Sequence, residues 1–177
     1  MIEDSAYHRR IAALHRELGI PADYACNRPL YPQAGAHELV AAGADIYGRP
    51  QRMTAATLAH WQAMRAAAAG DGVALQLVSA FRDIDYQAGL IRRKLERGLA
   101  IADILRVNAA PGYSEHHSGR ALDLTTPGCA VLEQAFEETA AFAWLMRQAG
   151  CFGFVLSFPR DNPHGVIYEP WHWCFHD

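Results

Sequence analysis

The sequence predicts an α+β domain with a small, largely antiparallel sheet flanked by helices, and three observations predict it. The 177 residues are 51% hydrophobic, enough to bury a real core and suited in length to one domain. Helical and strand-like segments mix without a regular βαβ rhythm. Two short strand-like runs near the C-terminus, "FGFVLSF" and "GVIYEPWHW", flank the turn-rich "PRDNPHG", the pattern of strands joined by a polar turn.

The elements follow in order. Tyr7, Ile11, Leu14 and Leu18 recur at spacings of four, three and four, which makes one apolar face of a first helix that Gly19 closes and Pro21 follows. Residues 20–52 are rich in Pro, Gly and Ala without periodicity and read as a long irregular connection that must pack on something to be ordered. Thr54 caps a second helix carrying Leu58, Trp61 and Met64 and ending at the "GDG" break of residues 70–72. The run "VALQLVSAF" reads as a strand covered on both faces that ends at Arg82. "DYQAGLIRRKLERG" is a charged helix with Gly98 just past its end, and "IADILRVN" a shorter one. In "GRALDLT", Leu122 and Leu124 face the core while Asp123 alternates to the other side. The segment from about Val131 to Gln148 reads as helix, stopped by Gly150. The whole chain, 1–177, is read as one domain, with a chemistry-bearing part at about 73–175 and an N-terminal helical and irregular extension over 1–72.

Composition excludes several functional classes. The net charge of −3 arises from interspersed acids and bases, so the chain carries neither the basic stripe of a nucleic-acid binder nor a polybasic membrane patch. Cys26, Cys129, Cys151 and Cys174 form no CxxC pair and are expected to be free, buried thiols. The N-terminus, "MIEDSAYHRRIAALHREL", lacks an apolar signal core, and no apolar run reaches membrane-spanning length. As written, the sequence is expected to stay in the cytoplasm, and to be periplasmic only if an export segment is missing.

The chemistry concentrates in "SEHHSGRALD", residues 114–123. If the segment is extended, Ser114 and His116 share a face and His117 points away, which prefers His116. Gly119 lets the chain bend before the strand that presents Asp123, and Ser118 reads as a turn residue rather than a nucleophile. His116 and Asp123 then converge as two metal ligands, but a catalytic zinc takes three from the protein and keeps one open position. The C-terminal "EPWHW" supplies His172, with Glu169 three residues ahead. Pro170 excludes a helical arrangement there, and a straight strand would put Glu169 and His172 on opposite faces, so a bulge is required to bring both to one cavity. His117, Cys174 and His176 are the rival ligands. His8, His15, His37, His60 and His164 read as ordinary surface or core residues, and Trp171 and Trp173 as wall and core.

These residues carry a resemblance. "SEHHSGRALD" has the form SxHxxGxAxD, "EPWHW" the form ExxH followed by an aromatic, and "SAFRDIDYQ" is similar to SGYRSxxxQ. Together, with "SAFRDIDYQ" first in the chain, "SEHHSGRALD" next and "EPWHW" last, they resemble the VanY-type D-alanyl-D-alanine carboxypeptidases, within the wider group of lysostaphin-like, D-Ala-D-Ala-peptidase and hedgehog-type folds. The resemblance implies that His116, Asp123 and His172 bind one Zn²⁺, that Glu169 is the catalytic base, and that Arg82 stabilises charge on the attacked carbonyl oxygen. It further implies that Gln87 and Ser114 help hold a peptidoglycan stem peptide or D-alanyl peptide. Ala80, Phe81 and Asp83 depart from the family pattern, and Phe81 lacks the phenol hydroxyl of the usual tyrosine. The implied activity is hydrolysis of a C-terminal D-Ala-D-Ala bond. An L,D-carboxypeptidase, a D,D-dipeptidase of muropeptide recycling, and a non-catalytic zinc-stabilised binding domain are the alternatives. Retention of Glu169 and Arg82 argues against the last, since metal binding alone requires neither.

Overall fold

The computed structural model describes residues 6–163 and 166–177, so His164 lies outside the described residues. Helix α1 (Ala6–Leu18) buries Ile11, Leu14 and Leu18, the predicted stripe, and Gly19 leaves it with a φ of 68°. That stripe packs with Ile84, Ala88 and Ile91 of α3 (Ile84–Glu96) and with Ile104 of α4 (Ile101–Val107), forming one of two apolar clusters. The other lies beneath the main sheet, where Trp61 and Met64 of α2 (Ala55–Gly70) meet Leu77, Leu122, Leu124, Trp144 and Trp173. Thr54 caps α2 by accepting from the Thr57 N–H, satisfying one of the amides a helix start leaves unpaired.

Four antiparallel strands form the main sheet in the order β3 (Gln76–Ser79), β4 (Ala121–Thr125), β6 (His172–Phe175), β5 (Phe154–Leu156). The register sets Ser79 opposite Asp123 and Asp123 opposite His172, so three polar residues form one row across three strands. Since successive side chains alternate, Leu122 and Leu124 point into the apolar cluster while Asp123 points to the other face. That face is covered too, and all five β4 residues are buried. Asp123 leaves the apolar core without reaching solvent.

Residues 20–52 are less irregular than their composition predicts. They contain a one-turn 3-10 helix at Tyr24–Asn27 and the strand β1 (Leu39–Ala44), which pairs antiparallel with β2 (Pro50–Thr54). A side chain, rather than an Asn-Gly pair, organises the hairpin's turn, which the Gly48 N–H closes by donating to Asp45 O. The fully buried Asp45 carboxylate accepts from the backbone N–H groups of Tyr47 and Arg49, from Arg49 Nε and from Gln51 Nε2. The hairpin then braces the end of β3: Gln51 Oε1 accepts from the Ala80 N–H, Arg49 Nη2 donates to Val78 O, and the Phe81 N–H donates to Arg52 O. Arg82 therefore leaves a strand end tied down on one side by β2.

Three further expectations are corrected. The segment after β4 is not one helix: a 3-10 turn at Gln134–Glu138 precedes α5 (Ala140–Gln148), and the chain coils on through Gly150 to stop at Gly153, whose φ is 77°. Thr139 caps α5 from within the segment read as continuous helix. "GVIYEPWHW" is strand only from His172 onward, because Pro170 lacks the N–H that a ladder position needs. All four cysteines are free, but Cys174 alone is buried. No described helix is long and apolar enough to cross a membrane.

Burial by itself would raise the Asp45 carboxyl, but the Arg49 and Tyr47 amides and the Arg49 guanidinium lower it below the ordinary carboxylate value. A depressed folded-state pKa contributes stability that is fully present above the unfolded value and is lost as pH falls through the folded one. Asp45→Asn is expected to cost about 2–3 kcal/mol in urea unfolding at pH 7. The gap from wild type should narrow as the pH drops below about 4. A gap that is small at pH 7, or that widens with acid, contradicts the role assigned to Asp45.

Candidate metal centre and active-site cleft

The segment expected to be extended is a 3-10 turn, Glu115–Ser118, entered from an extended Ser114 and left through Gly119 at a φ of 69°. Gly119 is required twice over. Its backbone is left-handed, and an added Cβ would come within 2.8 Å of Leu39 Cδ2 on the hairpin. The Ser118 hydroxyl closes the turn, donating to Glu115 O and accepting from the Arg120 N–H, as expected of a turn residue.

Both imidazoles of the turn are buried, and their hydrogen bonds separate them. His117 Nδ1 donates to Arg82 O at 2.6 Å while its Nε2 accepts from the Gly112 N–H at 3.0 Å, so neither nitrogen is available to a metal. His116 Nδ1 meets Ala80 O at 2.6 Å. A carbonyl only accepts, so Nδ1 carries the proton and Nε2 keeps its lone pair. Nε2 lies 3.2 Å from Asp123 Oδ2 but is buried without a hydrogen bond. His116 is thus preferred over His117 by the partners of its ring, not by strand parity.

The third member arrives through the sheet. His172 stands opposite Asp123, with Nδ1 3.1 Å from Asp123 Oδ1. Ligand atoms of His116, Asp123 and His172 all lie within 4.8 Å of one another, and this is the group of such residues among the described residues able to hold a metal. Two imidazoles and a carboxylate, with an orphaned ring nitrogen turned toward the other two, fit a divalent cation of the zinc type. Cys174 and His176 take no part in the group. The same holds for His8, His15, His37 and His60.

Glu169 reaches the site without a bulge. The chain turns at Pro170 and Trp171 so that the His172 N–H donates to Glu169 O, and Glu169 Oε2 lies 3.9 Å from His172 Nδ1. Both tryptophans are buried in the main core, as expected. Arg82 points inward, with Nη1 3.3 Å from Asp123 Oδ2, rather than pairing with Asp83 or Asp85 at the surface. Asp83 instead caps α3 and Asp85 pairs with Arg10. Gln87 and Ser114 are buried and line the same cleft. Gln87 Nε2 donates to Ala109 O, which leaves its Oε1 buried and unpartnered.

Electrostatics divide the carboxylates. Burial lowers His116 to about 4, reinforced by the charge of Arg82, so its ring is neutral. Burial would also lower His172, but hydrogen bonds to Asp123 and Glu115 outweigh it and hold the ring up at about 10. Asp123, despite a burial penalty, is kept well below the ordinary range by His116, His172 and Arg82. Burial pushes Glu169 up to about 7, and its neighbours do not reverse it. One carboxyl is therefore a fixed anion and the other is poised to exchange a proton near neutrality.

Several cleft residues escape the sequence motifs. Glu115 Oε2 lies 2.8 Å from His172 Nε2, and Glu115 Oε1 accepts from the Tyr31 hydroxyl. The His172–Glu115 bond holds Nε2 and leaves Nδ1 directed at Asp123, the support a carboxylate commonly gives a metal-binding imidazole. Its one signal in the sequence is its place beside His116 in the quoted stretch. Tyr24, Arg28, Pro29 and Tyr31 also wall a cleft, partly open to solvent, that contains His116, Glu169 and His172. They come from the segment that carries no sequence signal of function.

Comparison with known proteins agrees with this geometry. The VanY family, described as D-alanyl-D-alanine carboxypeptidase, matches residues 50–177. A D-alanyl-D-alanine carboxypeptidase of Enterococcus faecium is 35% identical over 96 residues, covering 53% of this chain and 27% of the relative. Matches to the curated relatives span less than half of their lengths. Among solved structures, the VanY D,D-pentapeptidase of a VanB-type resistance cassette, in complex with Zn(II), superposes with a TM-score of 0.62 at 25% identity, covering 81% of this chain and 82% of that one. The LD-carboxypeptidase LdcB shares the fold with a TM-score of 0.70 at 24% identity over 82% of this chain and 69% of that one. With the motifs converging on one buried centre and the family match covering most of the sequence, the chain belongs to the VanY family of D-alanyl-D-alanine carboxypeptidases.

Proposed function

We propose that the protein is a zinc-dependent carboxypeptidase that removes the terminal D-alanine from peptides ending in D-Ala-D-Ala, such as peptidoglycan stem peptides and their precursors. The observation that carries this reading is the convergence of His116, Asp123 and His172 within 4.8 Å, with Glu169 and Arg82 at its edge. When bound, zinc supplies a Lewis acid that polarises the scissile carbonyl and lowers the pKa of a bound water from about 15.7 to roughly 7. His116 offers Nε2 and His172 offers Nδ1, while Asp123 contributes a carboxylate oxygen.

Glu169 then acts as the proton carrier. With its carboxyl raised to about 7, it accepts a proton from the attacking water and delivers it to the departing amine, one group serving as base and then acid. Arg82, held by Asp123 at the mouth of the site, faces the charge that develops on the carbonyl oxygen, and a guanidinium remains positive throughout. Gln87 and Ser114 hold the peptide, Gln87 through a buried oxygen that lacks a donor. Burial of His116, Asp123 and His172 lowers the local dielectric and strengthens each of these interactions.

Glu169→Gln is expected to retain one zinc per chain while kcat falls by at least about 10²-fold. His116→Ala should lose both the metal and hydrolysis. Metal content by atomic emission and D-alanine release by mass spectrometry check the pair, and a Glu169→Gln protein of normal activity contradicts the assignment. A substrate panel of D-Ala-D-Ala, a pentapeptide and a tetrapeptide should give chelator-sensitive release of one D-alanine from the pentapeptide. Release from the tetrapeptide alone marks an L,D-carboxypeptidase instead. Turnover of the free dipeptide alone marks a dipeptidase, and zinc binding without any turnover marks a binding domain.

A further inference from the structure

A free terminal carboxylate must enter a cleft that already holds Glu115 and Glu169. Like charges in a buried site repel strongly unless a cation answers them. The cleft walls contain two guanidinium groups, Arg82 and Arg28. Arg82 is paired with Asp123 through Nη1, although its Nε is also buried without a hydrogen-bond partner. Arg28 forms no ion pair among the described residues, and its Nε is buried without a hydrogen-bond partner. Its position is nonetheless fixed: the guanidinium carbon sits 4.3 Å from the centre of the Tyr24 ring, and the Tyr24 hydroxyl is in turn held by the Ala110 N–H. A guanidinium stacked on an anchored aromatic ring, with a donor left unmade in the wall of a cleft that two carboxylates also line, is built for an anion that the protein itself does not supply.

We infer that Arg28 binds the free terminal carboxylate of the substrate; the inference rests on the carboxypeptidase reading above. Gln87 and Ser114 line the same cleft as Arg28, so the peptide-holding groups and this cation border one space. Lys94 is the rival cation. It lines an adjoining lobe with Asn108, Ile167 and Glu169, and its ammonium donates to Asn108 Oδ1. That lobe includes neither Gln87 nor Ser114, and it suits the remainder of the peptide. Through Arg28, the segment before the family motifs closes the end of the cleft where the chain of the substrate stops.

The test uses the zinc-loaded full chain and a diacetyl-L-Lys-D-Ala-D-Ala tripeptide as free acid and as C-terminal amide. Wild type should prefer the acid by about 10- to 100-fold in kcat/KM, the worth of a charge-assisted hydrogen bond. Arg28→Gln should erase that preference through KM, leaving zinc content and kcat within about twofold, and Arg28→Lys should restore part of it. An acid preference that survives Arg28→Gln, or that disappears in Lys94→Met instead, overturns the inference while leaving the carboxypeptidase reading intact. Should wild type release no D-alanine, the carboxypeptidase reading fails, and calorimetric titration with D-Ala-D-Ala still decides for Arg28. Weaker binding in Arg28→Gln than in wild type supports the contact, and equal or absent binding in both overturns it.

Discussion

The antiparallel register that sets Asp123 opposite His172 is the constraint on which the site depends. It makes two candidate ligands cross-strand neighbours across the β4–β6 pair, where side chains on one face stand closest. A slip of one residue would turn Asp123 into the apolar cluster and Leu122 or Leu124 into the cleft. The register is protected by what lies on the other face, since Leu122, Leu124 and Trp173 are all buried in one core. The same hydrophobic pattern that stabilises the sheet therefore aims the carboxylate, and the short turn at Glu115–Ser118 needs only to swing one imidazole over it.

Charge gives the cluster its second constraint. Asp123 faces both imidazoles and Arg82, so a buried anion is surrounded by groups that compensate it, as burial requires. Glu115 adds a carboxylate behind His172 and Glu169 one in front. The site consequently holds more negative than fixed positive charge, and a divalent cation is its natural complement. Hydrogen bonds to Asp123 and Glu115 hold the His172 ring up at about 10 against its burial.

Much of this is legible in the sequence because the chemistry sits in short, ordered motifs. The helical stripe of α1, the Thr54 cap, the Gly119 bend and the alternation that frees Asp123 from the core all follow from local periodicity and local sterics. The route to the site is less legible. Strand parity selects His116, whereas the backbone there is a 3-10 turn and the choice is made by Ala80 O and Arg82 O, carbonyls from more than thirty residues upstream. A straight strand would need a bulge to bring in Glu169, and a turn at Pro170 brings it in instead. The β1–β2 hairpin depends on a side chain satisfying a turn from within, and the contribution of Arg28 and Tyr31 depends on tertiary proximity. Neither leaves a periodic trace, since composition records what a loop is made of and not where it folds back.

The central claim is that His116, Asp123 and His172 share one ion. X-ray absorption at the zinc edge, combined with anomalous diffraction from crystals of the zinc-loaded protein, tests it most directly. The account predicts a single ion bound by His116 Nε2, His172 Nδ1 and an Asp123 oxygen at about 2.0–2.2 Å, with one further oxygen from solvent. Zinc found elsewhere in the chain, or held through sulfur or through fewer than two of these imidazoles, would contradict it.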